Sequence, residues 1–168
     1  MSKRNQPPPN ARGGKFDHQL VVTHHQVAVF QPSLEMPFND WRDEHVCQGF
    51  SWRPGSVSFG TIDDGILDVE CVRGIQGAAS GAVRVIRVPF TVGSEAEVEV
   101  ATVASNGFRL SLPAGEYALT FEHGRTEDAM WCRLVWHGTS SRVMPAVVWA
   151  DSGLDPPDPL IMEAEPAR

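Results

Sequence analysis

The sequence predicts an all-β protein, an antiparallel β-sandwich of about nine strands with one short helix. Short apolar runs with period-two alternation or β-branched content recur along the chain, and Gly, Pro or Asp punctuates the gaps between them. Only one stretch carries helical start and stop signals. Gly (15) and Pro (13) in 168 residues exceed average usage, which favours many short strands over a helical bundle. The length fits one domain, and 42% hydrophobic against 21% charged residues is enough for a packed core.

The elements follow in order. Residues 1–15 are polar, with Pro7-Pro8-Pro9 and Gly13-Gly14, and read as a disordered basic arm. A Val-rich run over 20–30 reads as the first strand. Asn39-Asp40 offers an N-cap, Asp40, Asp43 and Glu44 suit the positive end of a helix dipole, and Gly49 suits its stop. The spacing therefore predicts a helix over 40–48. So short a helix is marginal alone, so Trp41, Val46 or Cys47 is expected to pack on a sheet. Residues 56–62 alternate, with Val57, Phe59 and Thr61 on one face, and Asp63-Asp64-Gly65 reads as a hairpin turn into a strand over 66–73. The runs 83–92 and 95–103 follow, the second setting Ala96, Val98 and Val100 against Glu95, Glu97 and Glu99. Asn106-Gly107 is a further hairpin signal before Phe108, Leu110 and Leu112. Pro113-Ala114-Gly115 turns into Tyr117, Leu119 and Phe121, and runs over 131–136 and 143–149 complete the set. The β-domain is thus expected over 16–150. Residues 151–168, with four prolines and five acids, read as an extended or disordered acidic tail.

Charge narrows the function. The net charge is −7, but four bases and no acid lie in the first fifteen residues, leaving ten bases against 21 acids beyond them. Such a domain repels nucleic acid, whose binding depends on neutralising phosphates. It suits instead an encounter with a basic protein. No apolar run reaches the ~20 residues of a membrane-spanning helix, so no membrane insertion is expected, and the N-terminus lacks the apolar core of a secretory signal. A cytoplasmic location is expected.

Chemistry-bearing patterns are sparse. Cys47, Cys71 and Cys132 are odd in number and widely spaced, which argues for buried free thiols rather than a disulfide framework or a zinc site. His24-His25 on a strand would point to opposite faces, one at the surface and one in the core, and so would not chelate one metal. Asp63-Asp64 lacks the spaced oxygens of a calcium loop. There is no nucleophile elbow and no phosphate loop, and Gly74–Gly81 reads as a flexible connection. No enzyme and no cofactor are expected. Trp41-Arg42 and Trp52-Arg53 combine residue types enriched in binding hot spots. An alternative reading makes the tryptophans platforms for a small ligand or carbohydrate, which requires a concave Trp-lined pocket.

Several blocks resemble the competence protein J family. They are His25-Gln26-Val27-Ala28-Val29-Phe30-Gln31, Asp40-Trp41-Arg42-Asp43-Glu44, Gly49-Phe50, Val57-Ser58-Phe59, Val88-Pro89-Phe90, and the run from Phe108 through Leu112-Pro113-Ala114-Gly115-Glu116-Tyr117 to Thr120. The resemblance covers about residues 19–123. It implies a protein that binds a cognate nuclease and inhibits it, with relatives serving as immunity proteins beside nuclease toxins. The segment 125–149, with three tryptophans, and both charged ends depart from the pattern. On this reading the inhibitor sets carboxylates where DNA phosphates would lie in a basic cleft. Asp40, Asp43 and Glu44, with Trp41 as anchor, are the expected contact, and the tail acids Asp151, Asp155 and Asp158 are the competing location.

Overall fold

The computed structural model describes residues 16–74 and 77–168, so the basic arm lies outside the described residues. Eleven strands and one helix form two facing sheets: β1 (His18–Val22), β2 (Gln26–Phe30), α1 (Asp43–Gln48), β3 (Phe50–Arg53), β4 (Ser56–Gly60), β5 (Gly65–Arg73), β6 (Arg84–Val92), β7 (Glu97–Ala101), β8 (Phe108–Ser111), β9 (Gly115–Arg125), β10 (Met130–Gly138) and β11 (Ala146–Trp149). The larger sheet has the order β1-β5-β10-β9-β6-β11 and the smaller β3-β4-β2-β7-β8. Pairing is antiparallel except where β10 runs parallel to β5, with Met130 opposite Leu67. The fold class is the expected sandwich.

The core lies between the sheets, where Phe50, Phe59, Leu67, Ile86, Leu119, Phe121, Leu134 and Trp136 are fully buried. Phe59 and Phe121 stack across the gap with centroids 4.5 Å apart. Burying side chains of this size contributes about 1.5–3 kcal/mol each. Outside the smaller sheet, Leu34 and Phe38 pack on Ala28, Phe30 and Ala101, which is why β2 is buried on both faces. Outside the larger sheet, Arg133 and Glu122 form a buried ion pair at 2.7 Å. There residues 77–79 meet them: Arg133 donates to the Gly77 carbonyl and Glu122 accepts from the Ala79 amide.

Three departures from the sequence reading concern the strands, two of them where the chain crosses between sheets. The run 20–30 is two strands in different sheets, parted by a turn at His24 and His25 with φ of 60° and 53°. Both histidines are exposed, so neither is a core residue. Asp63-Asp64-Gly65 does not close a hairpin, because β4 pairs with β2 and β3 while β5 pairs with β1 and β10. It carries the chain from one sheet to the other. The strand Phe50–Arg53 follows the helix directly and was not among the nine. Asn106-Gly107 does lie in the β7–β8 hairpin, where a side chain at Gly107 would meet the Val100 carbonyl at 1.9 Å.

Candidate protein-binding edge

The helix is shorter than its charge pattern suggests. It spans Asp43–Gln48 with Arg42 as N-cap, so Asp40 and Trp41 precede it. The Arg42 amide donates to His45 Nδ1 at 3.0 Å, the part that Glu or Gln plays in a capping box. Gly49, at φ 85°, ends the helix as expected, and its amide donates to the His45 carbonyl at 2.9 Å. The buried face is polar. His45 and Gln48 are fully buried, whereas Val46 is 58% exposed, Cys47 is also exposed, and Trp41 is half-buried. Of the three residues offered for packing on a sheet, Trp41 reaches β2, where its indole N–H donates to Gln26, whereas Val46 and Cys47 are exposed, and the helix is held by hydrogen bonds from its inner polar side chains.

Those bonds go to the C-terminal segment. Residues 151–168 run extended along the helix and the segment before it. Gln48 binds Ile161 twice, Nε2 donating to its carbonyl and Oε1 accepting from its amide, both at 2.8 Å. His45 Nε2 donates to the Glu163 carbonyl at 2.9 Å, since Nδ1 is already an acceptor. The Asp155 amide donates to the Cys47 carbonyl at 2.9 Å. Asp40 and Glu165 exchange two bonds: the Asp40 amide donates to the Glu165 carbonyl, and the Glu165 amide donates to Asp40 Oδ1. Leu154, Leu160 and Met162 pack against the main core. The segment is thus a strap fixed to the sandwich along its length.

Its anchor is Asp151. Arg84, nearly buried at the start of β6, donates Nε to Asp151 Oδ1 at 2.7 Å and Nη2 to Oδ2 at 3.0 Å, while Nη1 donates to the Gly60 carbonyl at 2.7 Å. Partial burial raises the Asp151 pKa, but the hydrogen bonds and charge of Arg84 more than offset this and leave it below the usual carboxylate value.

The candidate residues therefore divide. Asp43, Glu44 and Asp155 are exposed on one edge. Asp40 is tied to Glu165, and Asp151 is committed to Arg84, so each of these two supports the edge rather than projecting from it. The helix acids and the tail acids, read as rival locations, lie side by side. Exposed Asp158, Glu163 and Glu165 on the strap extend the strip, and Arg42 interrupts it. Sequence reasoning missed this continuity, as well as Arg84, His45 and Gln48, because each acts through a partner more than sixty residues away.

Beside the helix lies a groove of about 410 Å³, bordered by Trp41, Val46 and the His24-His25 turn. Trp52 borders a separate groove of about 440 Å³ with Tyr117 and Met144, and donates its indole N–H to the Pro89 carbonyl at 2.8 Å. Trp131 and Trp136 are buried, and Trp149 is 63% exposed at the β11 edge. Among the described residues, no three His, Cys, Asp or Glu side chains gather as a metal site, and no helix is long and apolar enough to cross a membrane. Cys71 is half-buried and Cys132 buried, whereas the exposed Cys47 corrects the expectation that all three thiols are interior.

Two packed sheets with a strap-clamped acidic edge make this a β-sandwich with exposed carboxylates along one side. The chain belongs to the competence protein J family: the model of that family, Competence protein J (ComJ), matches residues 19–136, thirteen residues beyond the resemblance read from the sequence. It is 26% identical over 102 residues to the DNA-entry nuclease inhibitor of Bacillus subtilis (strain 168), covering 61% of this chain and 76% of that protein. Its fold is similar to the crystal structure of ComJ from Bacillus subtilis, described as the inhibitor of the DNA-degrading activity of NucA. The TM-score is 0.67 at 22% identity, over 73% of this chain and 94% of that one. The helix lies within the family match; β11 and the strap lie beyond it.

Proposed function

We propose that this protein is a stoichiometric, non-enzymatic inhibitor of a DNase, binding the nuclease's basic DNA-binding cleft as a protein partner. Membership of the competence protein J family, with a relative named as a DNA-entry nuclease inhibitor, carries the reading. The acidic edge supports it, because exposed carboxylates on Asp43, Glu44 and Asp155 can meet the cationic surface that a nuclease uses for phosphates. In this reading the protein acts in the cytoplasm as an immunity protein, neutralising a nuclease toxin or DNA-entry nuclease before it reaches the cell's own DNA.

Titrating the protein into a DNA-degradation assay with the nuclease encoded beside its gene tests this. The expected outcome is loss of cleavage at about one-to-one stoichiometry, with a complex that survives gel filtration. Undiminished cleavage and no complex would overturn the proposal for that pair.

A further inference from the structure

The groove beside the helix is not explained by the acidic strip. Part of its floor is left open by Gly60. Gly49 and Gly60 line it, and a Cβ at Gly60 would lie 3.5 Å from Arg84 Nη1 and 3.6 Å from Trp41 Cη2. Its polar groups are already engaged. Trp41 Nε1 donates to Gln26 Oε1 at 2.9 Å, and Arg84 is held by Asp151 and the Gly60 carbonyl. A pocket whose inner polar groups are satisfied among themselves offers its occupant contact rather than hydrogen bonds, and so suits an apolar side chain.

The mouth has two further features. Val46 projects at 58% exposure from a helix whose buried residues are His45 and Gln48. Opposite, His24 and His25 both hold left-handed backbone, a conformation that costs non-glycine residues energy and clusters at binding sites. The turn is fixed by Asp64, which accepts from the His25 amide at 2.8 Å and sits 3.2 Å from His25 Nδ1. Asp64 is exposed on this side of the mouth. On the other side, exposed Asp43 lies three residues before Val46 and so on the same helix face.

We infer that this groove receives an apolar side chain from a basic segment of the partner nuclease, flanked there by Lys or Arg that meet Asp43 and Asp64. The inference rests on the inhibitor reading above and names the anchor that the acidic strip lacks. Interfaces are dominated by a few side chains in desolvated pockets, with charged groups around them setting encounter and register.

The test compares wild type, Val46→Arg and Met144→Arg against the nuclease encoded beside the gene, by calorimetric titration and by the cleavage assay. Met144→Arg sets the same charge at the other groove. Val46 and Met144 are both well exposed, so both variants are expected to melt within a few degrees of wild type. Val46→Arg is expected to weaken binding at least 30-fold, and Met144→Arg by less than twofold. Gly60→Ala, whose Cβ makes ordinary contacts, is expected to weaken binding about three- to tenfold by making the floor shallower. Saturating nuclease is also expected to slow alkylation of the exposed Cys47 at least tenfold. If wild type inhibits and Val46→Arg inhibits equally well, the groove assignment is wrong and the inhibitor reading stands. If wild type itself does not bind, both fall.

Discussion

His123 is a buried group that ties stability to pH. It is fully buried, donates Nδ1–H to the Trp131 carbonyl at 2.8 Å, and accepts at Nε2 from the Ile62 amide at 3.0 Å. Both ring nitrogens are satisfied in the neutral form. Burial, chiefly, lowers its pKa to about 4, with the nearby Arg84 and Arg125 adding to the effect against the opposing Trp131 bond. In the unfolded chain it titrates near its ordinary value of about 6.5. Its contribution to stability is therefore complete above about pH 6.5 and is lost as pH falls toward 4, at up to about 1.4 kcal/mol per pH unit. Urea midpoints measured from pH 7 to pH 4 are expected to fall in that window. His123→Gln is expected to flatten the slope while lowering the stability at pH 7. A parallel slope in the variant would assign the acid sensitivity to other groups. The His24-His25 pair is a contrast at the same scale: the sequence showed two adjacent imidazoles, but their backbone conformation is set by a change of sheet that no local pattern records.

At the scale of elements, the strap is what sets the candidate edge in place. The strap meets both buried polar residues of the helix, Glu163 at His45 and Ile161 at Gln48. Removing residues 151–168 would leave His45 Nε2, Gln48 Oε1 and the Nε and Nη2 of Arg84 unpaired, uncover the core that Leu154 packs on, and cost several kcal/mol from unsatisfied buried polar groups alone. A chain ending at residue 150 is thus expected to melt at least 10 °C lower, as measured by circular dichroism. It would lose helix acids and tail acids together as a binding surface, so truncation does not discriminate between them. A melting temperature unchanged by truncation would show the strap to be dispensable. The strands were legible where one face is wet: Val98 and Val100 are buried while Glu97 and Glu99 face Arg109 on β8, as the alternation required. They were less legible in β2, where both faces are covered and four buried residues in a row hide the period. The helix lost its first turn to Asp40, whose side chain caps the Glu165 amide instead, an interaction across the whole chain. The candidate acids were readable as types and positions. Their division into projecting and supporting members was not, because Asp151 differs from Asp155 only by the presence of Arg84 beneath it.

For the whole molecule, the excess of acids predicts how fast a basic partner is found rather than how the chain folds. Association with the nuclease is expected to slow about tenfold or more between 20 and 300 mM salt, since exposed charges are screened over roughly 10 Å at 0.1 M. Reversing Asp43, Glu44 and Asp155 together to Lys is expected to slow it similarly at low salt, with little change in melting temperature. Stopped-flow association rates at several salt concentrations check both, and a triple variant with wild-type rates would remove the edge from the encounter. The topology has a consequence for synthesis as well. The parallel ladder sets Leu67 beside Met130, and the strap follows every strand in the sequence. The larger sheet cannot join β5 to β9 until β10 has left the ribosome, and the edge cannot be clamped until residues 151–168 have followed. Such non-local closure is slow compared with hairpin or helix formation. A cell relying on this protein against a rapidly made nuclease gains from translating the inhibitor first.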